Sequence, residues 1–197
     1  KPMPSAGGLS IVIAFSIATL IFIPMLTSTT APIKSYLSYT LPVVGAGWII
    51  ALTGLIDDVK ELSAKKKMIG ILLAASLVWF LTDFRLNDFK IPFGGPLLHF
   101  EPWLSYLLTV IWIVAITNAV NLIDGLDGLV SGVSIISLVT MGIVSYFFLP
   151  VPNLFLTMTI FVLVASIAGF FPFNYHPAII YLGDTGALFI GFMISVL

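Results

Sequence analysis

Seven apolar stretches divide the chain, and their lengths constrain the fold more than any motif does. A helix crosses the hydrocarbon core of a bilayer with about 20 apolar residues. Windows of this kind run over Gly8–Met25, Leu37–Ile56, Met68–Thr82, Trp103–Ala119, Leu129–Phe148 and Leu154–Phe171, with an incomplete one over Ala187–Leu197. The third is short, which calls for tilt or for extension at one end. Only 9% of the 197 residues are charged, against about 25% in a soluble domain, so the chain cannot cover itself with a water-soluble surface. The expected fold is an all-α polytopic membrane protein, with six complete transmembrane helices plus one truncated helix, forming a single domain over 1–197.

Each complete span moves the chain to the opposite membrane face. Segments 1–7, 57–67, 120–128 and 172–186 then share one face, and 26–36, 83–102 and 149–153 share the other. Lys1, Lys60, Lys65, Lys66 and Lys67 fall on the first face, against Lys34, Arg85 and Lys90 on the second. The positive-inside rule places the first face in the cytoplasm. Asp57, Asp58, Glu61, Asp124, Asp127 and Asp184 gather on that same face, while Asp83, Asp88 and Glu101 lie opposite. In the outer segment, Phe93-Gly94-Gly95-Pro96 between apolar flanks predicts a small β-hairpin lying on the membrane surface. The chain starts at Lys1 without an initiating Met and stops inside an apolar run, which reads as an internal piece of a longer polytopic protein.

Charge and residue inventory exclude several kinds of chemistry. A net charge of −1 supplies no basic field, so no nucleic-acid partner is expected. The chain has no Cys, which excludes disulfides, thiolate catalysis and cysteine-ligated metal, and its two His, His99 and His176, are too few for a histidine-rich metal site. A metal, if used, must be held by carboxylates.

Three cytoplasmic segments concentrate polar groups. Asp57 and Asp58 place adjacent carboxylates where an apolar helix meets the cytoplasm, an unfavourable pairing unless a cation, a proton or hydrogen bonds compensate it. Between Asn118 and Gly128, polar residues recur every three positions at Asn118, Asn121, Asp124 and Asp127, so on a helix they form one slowly drifting stripe. In the third segment, Asp184 and Thr185 directly precede an apolar helix, whose N-terminus suits a phosphate, although Asp184 can equally be a plain N-cap. His176 stands in a loop before Pro177. Lys65-Lys66-Lys67 reads most simply as a topology determinant or an anionic-lipid contact. Hard oxygen ligands on one face select Mg²⁺ or Mn²⁺, metals that commonly neutralise phosphate oxygens, so phosphoryl transfer at the cytoplasmic surface is the expected chemistry.

The motifs Lys1-Pro-Met-Pro-Ser-Ala-Gly-Gly8, Asp57-Asp58, Asn118 through Gly128 and Phe173 through Gly186 resemble those of the polyprenyl-phosphate N-acetylhexosamine-1-phosphate transferases. That family, glycosyltransferase family 4, includes the bacterial enzymes that start wall teichoic acid, O-antigen lipopolysaccharide and peptidoglycan intermediates. The resemblance implies a ten-helix enzyme of the bacterial cytoplasmic membrane, of which this chain matches the second through eighth helices. It also implies transfer of a sugar 1-phosphate from a UDP-N-acetylhexosamine to undecaprenyl phosphate with release of UMP, dependent on Mg²⁺. Asp57 and Asp58 match the family's aspartate pair, the first being the usual candidate for the base. Asn121, Asp124 and Asp127 match the nucleotide-sugar and catalytic loop, Asp184 the metal-binding aspartate, and Lys1 a basic position near the lipid phosphate. The expected roles are thus catalytic for Asp57, Asp58, Asp124 and Asp127, substrate-binding for Lys1, Asn118, Asn121, Thr185 and His176, and metal-binding for Asp184 and Asp127. Membrane lipids are the further expected partners, with a homodimer left open.

The Pro-Ser-Ala-Gly-Gly and Asn-Tyr-His-Pro-Ala forms are closer to the branch that uses UDP-GlcNAc, with phospho-MurNAc-pentapeptide transfer as the alternative. The family's His-rich loop between its last two helices is not in this sequence, so the chain by itself is expected to be inactive or severely impaired. Two other readings stand beside this one. A cation-coupled transporter would carry its carboxylates near the midplane and not at one face, and a non-catalytic assembly subunit would leave the Asn/Asp stripe unexplained.

Overall fold

A computed structural model describes residues 7–22, 25, 33–149 and 153–197. Helix α1 covers Gly8–Ile17 and passes into a π-helical stretch, Ala18–Phe22. Helix α2 covers Ile33–Lys60 and α3 Ala64–Leu81. Strands β1, Asp88–Lys90, and β2, Leu97–His99, follow. Helices α4, Pro102–Leu122, α5, Leu129–Phe147, α6, Leu154–Asn174, and α7, Gly183–Val196, complete the order.

Four of these helices are long and apolar enough to cross a membrane: Tyr36–Lys60, Pro102–Leu122, Leu129–Phe147 and Leu154–Asn174. The expectation of six complete crossings is met by four on that criterion among the described residues. The difference has a physical source in each remaining window. Helix α3 gains the turn Ala64–Lys67 ahead of the expected Met68 and so carries three Lys in its first turn. The apolar helices Gly8–Ile21 and Gly183–Val196 are shorter than a full span.

The expected β-hairpin forms. Its strands pair antiparallel with Asp88 opposite His99, Phe89 opposite Leu98 and Lys90 opposite Leu97. Because α3 runs away from the Asp57–Lys67 turn and α4 runs back towards Asp124, the hairpin lies at the opposite end of the helices from the carboxylates.

The short helix α7 is the centre of the packing, in contact with α1, α2 and α4. Eleven of its residues are buried, including Phe189, Phe192 and Met193. Phe15 of α1 meets Phe189 edge-on, with ring centroids 5.8 Å apart. The outer faces of the surrounding helices expose large apolar side chains, among them Ile69, Ile111, Ile136 and Phe161. A helix buried on all sides inside a ring of helices that are apolar outside is the arrangement expected where lipid, not water, surrounds the bundle.

Close packing at the carboxylate end depends on missing side chains. A Cβ on Gly8 would stand 2.2 Å from both Cα and N of Gly186, so α1 and α7 touch backbone to backbone. The Gly7 and Gly8 N–H groups donate to the carbonyls of Tyr181 and Leu182, at 3.1 and 2.9 Å. The Gly pair of the opening motif therefore anchors the loop that leads into Asp184.

Candidate active site

The ends of α2, α4 and α6 and the start of α7 enclose a cavity of about 690 Å³, lined by Asp57, Asp58, Glu61, Asp124, Asp127, Asn174, Tyr181 and Asp184, among others. Residues far apart in sequence thus bring their carboxylates to one mouth.

Asp57 and Asp58 occupy the last turn of α2 and project differently. Asp57 Oδ2 lies 2.6 Å from Lys67 Nζ, and its Oδ1 accepts from the Leu62 N–H at 2.5 Å, which fixes the turn between α2 and α3. Asp58 points instead at α7. Its Oδ1 accepts from the Asp184 N–H at 2.8 Å, and its Oδ2 accepts from the Thr185 N–H at 3.1 Å and the Thr185 hydroxyl at 2.6 Å.

Lys67 is the site residue that sequence reasoning missed. Its ammonium bridges Asp57 and Asp184, 2.6 Å from the first and 2.5 Å from the second. Their side chains are only 10% and 27% exposed, so the bridge is partly shielded from solvent and is stronger than a surface ion pair. The available signal was position: the third Lys of the run opens the helix that packs directly on α2, facing the turn from Asp57.

Asp184 is the second residue of α7, not its N-cap. Its Oδ1 accepts from Asn121 Nδ2 at 2.6 Å, and its Oδ2 faces Lys67. Asn118 does not join the cluster; its Nδ2 donates back to the Val114 carbonyl of its own helix at 2.8 Å. Thr185 is fully buried, with its hydroxyl engaged by Asp58.

Across the cavity, Asp124 is pushed up to about 6 by burial and then by the charges of Asp184 and Asp58. Asp127 goes the other way. The Ala178 N–H, 3.1 Å from its Oδ2, and then His176 hold it below the usual carboxylate range. His176 Nδ1 lies 3.0 Å from the same oxygen, and the ring is largely exposed. Asp127 and His176 therefore tie the loop after α4 to the loop after α6. Lys1 lies outside the described residues.

Among the described residues, no three His, Asp or Glu side chains converge as a ready-made metal cage. Asp57 and Asp184 do converge on one cation, the Lys67 ammonium, and Asp124 acts electrostatically on Asp184 from the same cavity. Paired hard oxygens around a positive charge suit a small divalent cation such as Mg²⁺.

Residues 40–197 match glycosyl transferase family 4. The whole chain is 41% identical to a probable undecaprenyl-phosphate N-acetylglucosaminyl 1-phosphate transferase of Bacillus subtilis, covering 51% of that protein. It is 36% identical over 95% of its length to a phospho-N-acetylmuramoyl-pentapeptide-transferase of Staphylococcus saprophyticus, covering 59% of it. A decaprenyl-phosphate N-acetylglucosaminephosphotransferase of Mycolicibacterium smegmatis is 34% identical over 99% of the chain and 49% of its own length. The chain thus spans about half the length of the curated relatives it matches. With a carboxylate-lined cavity at the end of an apolar helical bundle, and a match running from the second helix to the last, the chain belongs to glycosyl transferase family 4.

Proposed function

We propose that the protein transfers N-acetylglucosamine 1-phosphate from UDP-GlcNAc to undecaprenyl phosphate, releasing UMP and starting a lipid-linked envelope glycopolymer. The observation that carries the reading is the convergence of Asp57, Asp184, Lys67 and Asn121 beside Asp124 in one cavity at the end of the apolar helices. An oxygen of the lipid phosphate attacks the β-phosphorus of the UDP-sugar. The new P–O bond forms as the bond to the bridging oxygen breaks, and UMP leaves with that electron pair.

Mg²⁺, or Mn²⁺ in its place, would neutralise the diphosphate when bound, held by Asp184 with help from a neighbouring carboxylate of the cavity. The second pKa of a phosphate monoester is about 6, so the attacking phosphate is already largely dianionic at neutral pH. Asp57 then serves chiefly to orient Lys67, whose ammonium meets phosphate charge. Asn121 holds the Asp184 carboxylate in register. Asp124 and Asp127 form the wall facing that pair, Asp127 with His176 shaping the nucleotide-sugar side.

The membrane placement that accompanies this reading has the carboxylate end in the cytoplasm and the hairpin outside, with α1 and α3 completing six crossings and α7 entering as the seventh. Phospho-MurNAc-pentapeptide is the alternative donor group, kept because of the 36% identical Staphylococcus relative.

The test is UMP release by the intact protein in detergent, given undecaprenyl phosphate and UDP-GlcNAc, with and without Mg²⁺, beside Asp184→Asn. Release that needs lipid and metal and collapses in the variant supports the proposal. Absence of release with UDP-GlcNAc, UDP-MurNAc-pentapeptide and other UDP-sugars would refute it.

A further inference from the structure

Helix α7 starts without a cap of its own. Its N-cap position is Leu182, whose side chain makes no capping hydrogen bond. The first N–H groups of any helix lack intrahelical partners, and an N-cap side chain normally takes those of the second and third helical residues. In α7 these are Asp184 and Thr185, and both donate to Asp58, at 2.8 and 3.1 Å. The Thr185 hydroxyl adds a third bond at 2.6 Å. The cap therefore comes from a different helix, 126 positions earlier in the chain.

Two further features fit this role. Gly54 lies one turn before Asp58 on α2, and a Cβ there would stand 2.6 Å from Asp184 C, Asp184 O and Thr185 Cα, so the first turn of α7 rests on bare α2 backbone. An anionic side chain at a helix N-terminus is also favoured by the helix dipole. Three of roughly four lone-pair positions on the Asp58 carboxylate are engaged by α7. Asp57, its neighbour, makes none of these bonds and faces Lys67 instead.

We infer that Asp58 is a positioning residue: its carboxylate is the N-cap of α7, supplied from the end of α2, and it fixes where Asp184 projects towards Lys67 and Asn121. The role of Asp184 in this statement rests on the proposed reaction; the seating of α7 on Asp58 does not.

The experiment compares the intact protein with Asp58→Asn, Thr185→Val and the double variant. Asp58→Asn keeps the shape of the side chain but replaces one acceptor oxygen by a donor. Thr185→Val leaves the carboxylate in place and removes only the hydroxyl, so it decides the question if Asp58→Asn does not accumulate. Hydrogen exchange over residues 183–187 is read against exchange within α5, and Mn²⁺ titration is read by spin resonance and by UMP release.

The expected result for Asp58→Asn is about tenfold faster exchange over 183–187, a rise of similar size in half-saturating Mn²⁺, and a smaller fall in kcat at saturating metal. Thr185→Val should move both readings in the same direction by less, and should add little on top of Asp58→Asn, because the acceptor is already impaired. Unchanged exchange in both variants overturns the inference. So does a kcat at saturating Mn²⁺ that falls further than the metal requirement rises, the mark of a proton acceptor. Should no UDP-sugar give UMP, the exchange measurement still decides the placement of Asp58, so failure of the reaction and failure of the cap are read separately.

Discussion

Replacing Gly54 by Ala tests the seating of α7 with the smallest possible change. A Cβ at this position would lie 2.6 Å from three backbone atoms of Asp184 and Thr185, about 0.8 Å short of ordinary contact. Backbone cannot rotate aside as a side-chain tip can, so α7 must retreat by about that amount. The Asp184 N–H to Asp58 bond, now 2.8 Å, would stretch to about 3.6 Å, and the Thr185 N–H bond, now 3.1 Å, to about 3.9 Å, both beyond useful length. Hydrogen bonds to a charged acceptor contribute about 1.5–3 kcal/mol each, while Ala gains about 1 kcal/mol over Gly in a helix. The net expectation is destabilisation of about 2–5 kcal/mol. Gly45 on the same helix is the control, because a Cβ there meets nothing within 4 Å; Gly45→Ala should be neutral or stabilising by up to about 1 kcal/mol. Thermal unfolding in one detergent, read by the same probe for all three proteins, compares them. Equal stability of Gly54→Ala and Gly45→Ala would show that α7 does not rest on α2 at this point.

Other perturbations probe separate parts of the site. Asp124 titrates near 6, above the ordinary carboxylate range, so its protonated form is favoured on folding and the associated stability is present at acid pH and lost as pH rises through about 6. In EDTA, Asp124→Asn should therefore raise the melting temperature at pH 8 by the equivalent of about 1 kcal/mol, after allowance for partial exposure, and leave it unchanged at pH 4; the same increment at both pH values would contradict this. Lys67→Gln removes the cation between Asp57 and Asp184, and UMP release should fall at least about tenfold with stability reduced near neutral pH; retained turnover would remove Lys67 from the site. His176→Ala should cost less than about 0.5 kcal/mol because the ring is exposed. Asp127→Ala should cost more, since it also strips the Ala178 N–H of its acceptor, and the reverse order in unfolding midpoints would count against the loop tie.

The helical, apolar character of the bundle was legible in the sequence, although among the described residues only four of the six expected crossings are long and apolar enough to span, and the turn at Gly94-Gly95 marked the hairpin. Helix ends were less legible. Asp57 and Asp58 lie within the last turn of α2, and it is the roughly 100° between consecutive helical residues that sends one to Lys67 and the other to α7. No local pattern could reveal this, because the partners lie on other helices. The three-residue stripe predicted that Asn118 and Asn121 act together, yet only Asn121 reaches Asp184, while Asn118 turns back to its own backbone. Polar side chains in an apolar helix have that second option, and sequence spacing alone cannot choose between the two. Lys67 was hidden in a run of three identical residues that a positive-inside reading explains equally well.

The central place of α7 also bears on how the protein is made. Its neighbours α1, α2 and α4 all leave the ribosome before it, so for a time they surround a slot that nothing occupies. Asp58 then lacks the two amides and the hydroxyl that it binds in the finished fold, and Asp184 has not yet arrived. Docking of this one short segment fills the slot, satisfies the waiting carboxylate and delivers the last acidic group of the cavity in a single step. Docking of α7 and assembly of the carboxylate cluster are thereby the same event, so a nascent chain halted before Gly183 holds Asp57, Lys67 and Asn121 but lacks the Asp184 carboxylate that Lys67 and Asn121 bind.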